Sequence, residues 1–98
     1  MSANAPGRIL LVDHSRGALL FQETILRRRD MVIMTALAGS DGHEKARAEK
    51  PHLIIFGYDL FDMTAPEFCR EIRSDESTRP ISLLLVCDRG SHEHGDLC

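Results

Sequence analysis

The sequence predicts an α/β domain: a doubly wound parallel sheet in the order β-α-β-α-β-α-β. Three observations predict it. Short, largely apolar runs recur at Ile9–Val12, Met31–Leu37, Leu53–Phe56 and Ile81–Cys87, the pattern of strands covered on both faces. Stretches with helical periodicity or helix-start chemistry lie between them. Turn residues separate each stretch from the next, which gives the alternation expected of strand-helix-strand units and a parallel sheet.

Taken in order, residues 1–7 read as a flexible leader, and the strand Ile9-Leu10-Leu11-Val12 is broken by Asp13-His14-Ser15. A helix follows from Ser15 or Arg16 to about Arg28, with Ala18, Phe21 and Ile25 on one face and Leu19 and Leu26 widening that stripe. Asp30 is a turn, and Met31–Leu37 is a strand rich in β-branched residues. Gly39-Ser40-Asp41-Gly42 turns the chain into a helix whose Asp41 and Glu44 have capping-box spacing. Its apolar face is thin, resting on Ala46, and Pro51 ends it. Leu53–Phe56 is the third strand, with Asp62-Met63 in the loop beyond it. Thr64-Ala65-Pro66-Glu67 starts the next helix: a threonine cap, a proline in the first turn and a glutamate three residues after the cap. Phe68, Cys69 and Ile72 form its inward face, and Ser77-Thr78-Arg79-Pro80 turns into the fourth buried strand, Ile81–Cys87.

Composition narrows the function classes. A chain of 98 residues makes one domain. The net charge of −3, with Arg27-Arg28-Arg29 as the only basic run, argues against direct nucleic-acid binding. That run suits a helix C-terminus, where cations meet the negative end of the helix dipole. Three cysteines without regular spacing do not make a disulfide framework. No secretory signal and no membrane-length apolar run is visible, so the expected location is cytoplasmic. No nucleophile-base pair, phosphate-cradling glycine loop or paired carboxylates mark an enzyme.

Three stretches carry a family resemblance. Ile9-Leu10-Leu11-Val12-Asp13-His14-Ser15, Pro51-His52-Leu53-Ile54-Ile55-Phe56-Gly57 and Pro80-Ile81 with the apolar strand after it resemble the first, third and fourth strand regions of the response regulator receiver domain, the CheY-like or flavodoxin-like fold. The likeness continues without gaps through Met63 and Glu67 to Cys69-Arg70-Glu71-Ile72-Arg73 and covers residues 8–88. On this resemblance residues 89–98 are a polar tail, the fifth strand and last helix of the family are lacking, and the chain is a cut from a longer protein.

The resemblance also implies a pocket, and the departures fall on it. The strand-end position at which the family carries its phosphoryl-accepting aspartate is Gly57, which has no side chain to phosphorylate. The family's adjacent acidic pair, which holds magnesium, is Asp13 and His14 here, and an imidazole is a poor magnesium ligand. The hydroxyl of the fourth strand falls on Leu85 or Cys87, depending on register, and neither replaces it. The pocket-equivalent residues are therefore Asp13, His14, Gly57, Asp59, Leu85 and Cys87. No cofactor is expected, with Asp13 a weakened magnesium ligand at most.

The function expected is a receiver-like signalling module that works without aspartyl phosphorylation, through protein partners or a downstream output domain. Two alternatives stand beside it: a phosphorelay receiver with a relocated acceptor, Asp59 or His14, and a small α/β ligand-binding domain. The spacing of Cys87, His92, His94 and Cys98 fits no zinc pattern. With no fifth strand, the edge at 81–87 is expected to recruit a second copy of the chain.

Overall fold

The computed structural model describes residues 7–27 and 30–86. The elements are β1 (Gly7–Val12), α1 (Arg16–Leu26), β2 (Met31–Ala36), α2 (Gly39–Glu49), β3 (Leu53–Gly57), α3 (Ala65–Ser74) and β4 (Ser82–Val86). All strand pairs are parallel and the order across the sheet is β2-β1-β3-β4, so the expected doubly wound architecture is what forms. Gly7, read as part of the leader, is the first residue of β1.

The apolar runs at β1 and β3 feed both faces, because alternate side chains of a strand point to opposite sides. Leu10, Val12, Ile54 and Phe56 join Phe68 and Ile72 of α3 and Ala46 of α2 in the larger core. Ile9, Leu11 and Ile55 meet Leu19 of α1 in the smaller one. Phe56 and Phe68 pack with ring centroids 5.1 Å apart and tilted 48°. Fully burying a side chain of that size contributes about 1.5–3 kcal/mol. Gly42 lets α2 approach β1 closely: a Cβ there would lie 2.8 Å from a methyl of Val12.

Helix α3 starts as its sequence requires. Thr64 Oγ1 accepts from the Glu67 amide and the Glu67 carboxylate accepts from the Thr64 amide, closing the capping box. Phe68 and Ile72 are fully buried and Cys69 is half-buried against the core. Burial pushes the Cys69 thiol pKa up, partly opposed by the charge of Arg73.

Three expectations need correction. The stripe Ala18, Phe21, Ile25 does not face the core: Phe21 is 66% and Ile25 61% exposed, and the buried residue of α1 is Leu19. Leu19, with Leu26 partly buried beside it, is what α1 packs against Ile9, Leu11 and Ile55 among the described residues. The capping box of α2 does not form, because the helix begins earlier, with Ala38 as its N-cap and no side-chain cap of its own. Asp41 instead lies 3.7 Å from Lys45 one turn on. The fourth strand, read as buried, has Ser82, Leu84 and Val86 exposed and Leu83 and Leu85 half-buried; among the described residues it lies at the sheet edge, as the reading of 81–87 as an edge expected.

Candidate functional site

The carboxyl ends of β1 and β3 lie side by side, since Val12 pairs with Phe56. This is where open α/β sheets bind ligands, and it brings together Asp13, His14, Gly57 and Asp59. Asp13 follows β1 directly and its amide donates to the carbonyl of Ala36 at the end of β2, 3.1 Å away. Its Oδ1 accepts from the Ser15 amide at 3.1 Å, and Ser15 Oγ in turn accepts from the Ala18 amide, capping α1. The Asp13 carboxylate is thus fixed from its own loop.

Gly57 is the last residue of β3 and is buried. A Cβ placed there would sit 2.9 Å from Asp13 Oδ2 and 3.4 Å from its Cγ. The Asp13 carboxylate therefore occupies the space that a side chain at position 57 would need.

His14 turns toward the loop after β3. Its Nδ1 is 2.9 Å from the carbonyl of Asp59 and 3.5 Å from Asp13 Oδ1. A carbonyl can only accept, so Nδ1 carries a hydrogen, and the ring is half-exposed. Asp59 itself is exposed and its backbone bridges to Thr64. Leu85 is not part of this group. It lies beside Phe56 in the sheet and packs against the larger core, on the opposite face from Gly57. Cys87, His92, His94 and Cys98 lie outside the described residues.

The loop between β3 and α3 holds a residue that sequence reasoning passed over. Phe61 has φ +75° and is 82% exposed, and the Asp62 amide donates back to the Leu60 carbonyl across it at 2.7 Å. This tight turn is unfavourable for a non-glycine residue. It aims the Asp62 carboxylate at the start of α2, where Oδ1 accepts from the Gly39 amide at 2.7 Å and Oδ2 from the Ser40 amide at 3.0 Å. Burial works against the Asp62 charge, but the bonds from Ser40 and Gly39 outweigh it and hold the pKa below its ordinary value. The only signal in the sequence was negative, the lack of a capping residue at Ala38.

A second polar cluster joins α2 to the end of α3. His43 stands between Glu71 and Asp75, 3.2 and 3.0 Å away, and Arg47 Nε donates to Asp75 at 2.9 Å. These groups line an open groove of about 760 Å³ with Asp62, Glu67 and Arg70. Hydrogen bonds from Arg47 and then Ser77 hold the Asp75 carboxyl far below the usual carboxylate range.

Magnesium, which the resemblance implies, does not fit here. It needs several oxygen ligands in near-octahedral array. Asp13 offers one carboxylate, His14 a nitrogen already turned to a carbonyl, and Gly57 nothing. Among the described residues no group of His, Cys, Asp and Glu is placed to hold a metal ion. Also among them, no helix is long and apolar enough to cross a membrane.

A parallel sheet in the order β2-β1-β3-β4, with Asp13 and Gly57 at the ends of β1 and β3, agrees with the receiver fold. The receiver domain of a sensor histidine kinase from Pseudomonas aeruginosa, solved with magnesium coordinated in its active-site cleft, superimposes with a TM-score of 0.82 at 20% identity, covering 94% of this chain and 75% of that one. The N-terminal domain of a response regulator receiver protein from Methanoculleus marisnigri does so with a TM-score of 0.75 at 27% identity, covering 90% and 76%. The alkaline phosphatase synthesis transcriptional regulatory protein PhoP of Bacillus subtilis is 30% identical over 81 residues, which is 83% of this chain and 34% of that protein. The chain thus spans about a third of this curated relative. No protein-family model matches. The chain is a receiver domain of the response-regulator type, with the CheY-like fold.

Proposed function

We propose that this receiver domain signals without aspartyl phosphorylation, by presenting its surface to protein partners or to an output domain, and that it is not an enzyme. The observation that carries the reading is the geometry at Gly57: no side chain projects there, and the Asp13 carboxylate fills the space beside it. An acyl-phosphate mechanism needs an acceptor carboxylate and a metal-holding set of oxygens, and neither is supported by Asp13, His14 and Gly57. The proposed setting is cytoplasmic, with no direct nucleic-acid contact. A second copy of the chain is one proposed partner, met through the strand at 81–87. The test is to incubate the protein with a small acyl phosphate and magnesium and measure intact mass. No stoichiometric adduct is expected; one phosphoryl group per chain overturns the reading.

A second reading is favoured by one observation. If a phosphoryl group is accepted, the half-exposed His14, its ring oriented by the Asp59 carbonyl at Nδ1, is better placed than the solvated Asp59. An adduct stable in alkali but lost in acid identifies the imidazole, and an alkali-labile one identifies a carboxylate.

A further inference from the structure

Helix α2 is held by polar ties more than by packing. Its buried residues are Gly39, Gly42 and Ala46, so it inserts no large apolar side chain into the core. Elements with so little buried apolar area open locally at low free-energy cost. Polar contacts fasten this one instead. Asp62 accepts from its first amides, Lys45 reaches the Thr35 carbonyl of β2, and Arg8 of β1 meets the Glu49 carboxylate at its far end. Between these, His43 and Arg47 join it to Glu71 and Asp75 on α3 and its C-cap. Among these ties only His43 belongs to the residue type that ordinarily changes charge between about pH 5 and 8.

The His43 side chain is only 14% exposed and each of its nitrogens faces a carboxylate, Nδ1 the Oε1 of Glu71 and Nε2 the Oδ2 of Asp75. An ionised carboxylate only accepts. Asp75 stays ionised, because Arg47 and Ser77 hold it far below the usual carboxylate range. Both contacts are therefore hydrogen bonds only when both ring nitrogens carry a hydrogen, that is, when the ring is a cation. A neutral ring has one N–H and serves one carboxylate. With that hydrogen on Nδ1, the bare Nε2 is set lone pair against lone pair with Asp75. It then also becomes an acceptor for Arg47 Nη2, 3.4 Å away, which a charged ring could only repel. The cluster thus has two arrangements, one for each charge of the ring. Arg47 on α2, Arg70, Glu67, Glu71 and Asp75 from α3 and its C-cap, and Asp62 from the loop after β3 line the groove around His43, so its surroundings carry net negative charge.

We propose that His43 is a proton-operated latch between α2 and α3. Charged, the ring donates to Glu71 and Asp75 at once and ties the middle of α2 to the end of α3. Neutral, it keeps one of those bonds, and Arg47 Nη2 turns to the bare Nε2, a bond that stays within α2. The sign is fixed by this chemistry: the second bond is present on the acid side of neutrality and is lost as pH rises. His52, which follows α2, has the opposite sign. Its Nδ1 accepts from the Arg8 amide at 3.1 Å, so that contact needs a bare nitrogen and is broken by a proton there. The direction of the pH effect therefore tells the two histidines apart. Loosening of α2 reshapes the open groove of about 760 Å³ between α2 and α3, and with it one exterior face of the domain. The latch lies away from Asp13, His14 and Gly57 and does not depend on whether a phosphoryl group is accepted there.

The test is amide hydrogen exchange on the full chain, followed by NMR at about pH 5.5 and about pH 8, on either side of ordinary histidine titration. Each rate is corrected for the intrinsic rate at that pH, and protection of the α2 amides at 43–49 is taken relative to that of Ile54 and Ile55 in β3. Loss of one charge-assisted hydrogen bond at a partly exposed site predicts relative protection of α2 about 5-fold greater at the lower pH. His43→Gln cannot take up a charge and is expected to abolish the difference, and Glu71→Gln to reduce it. Equal relative protection at the two pH values, greater protection at the higher one, or a difference that survives His43→Gln in full overturns the latch. If His43→Gln fails to fold, Glu71→Gln decides on the same terms: an undiminished difference overturns it. The phosphodonor experiment reads other residues, so failure of the latch and failure of the phosphorylation-independent reading are told apart.

Discussion

Replacing Asp62 with alanine isolates the bond between the loop after β3 and the start of α2. The substitution removes the acceptors for the Gly39 and Ser40 amides, two of the four N–H groups that a helix start leaves without internal partners. Loss of a capping side chain costs about 0.5–2 kcal/mol, and the exposure of Asp62 puts the expected value near 1 kcal/mol. For a domain of this size that lowers the melting temperature by roughly 4–8 °C. Asp62→Asn keeps an acceptor oxygen but loses the favourable charge at the positive end of the helix dipole, so about half the loss is expected. The pH dependence has a definite sign. The folded pKa lies below the ordinary value of 3.8, so the contribution is present above that value and disappears as pH falls through the folded pKa. Urea unfolding followed by circular dichroism is the assay. Asp62→Ala should unfold earlier than the parent at pH 7, and the two curves should converge toward pH 2. An unchanged midpoint at pH 7, or a difference that persists undiminished in acid, refutes the reasoning.

Phe61→Gly relieves the positive φ and is expected to stabilise by up to about 1 kcal/mol, seen as a higher urea midpoint. Gly42→Ala raises helix propensity but drives a methyl into Val12, so a net loss of about 1–3 kcal/mol is expected in the same assay. Phe21→Ser on the exposed side of α1 should change stability by less than about 0.5 kcal/mol, whereas Leu19→Ala beneath the same helix should cost about 2–5 kcal/mol. Asp75→Asn should flatten the acid limb of the stability profile, because the Asp75 carboxylate contributes above its unfolded pKa and its contribution is lost as pH falls through the depressed folded value; titration of the unfolding midpoint checks it.

The parts of the fold legible in the sequence were those encoded locally. The runs at Ile9–Val12 and Leu53–Phe56 could only be covered strands, and Thr64 with Glu67 is a self-contained helix start that forms as its spacing dictates. What escaped was encoded across the chain. Which flank of α1 is buried depends on what the sheet offers beneath it, and periodicity cannot tell a core stripe from one left in solvent. The cap of α2 arrives from position 62, so local spacing pointed wrongly to Asp41 and Glu44. At the candidate site, strand-end position sufficed to group Asp13, His14, Gly57 and Asp59. It failed for Leu85, because the parity of β4 turns that side chain into the core beside Phe56.

The contact between position 57 and Asp13 bears on redesign of the strand end. An aspartate placed at position 57 would meet Asp13 Oδ2 at its first side-chain carbon, and that oxygen, the far end of a side chain, would have to give way. His14 would still be turned to the Asp59 carbonyl. A carboxylate introduced at position 57 alone therefore leaves an imidazole where a hard cation wants a further oxygen.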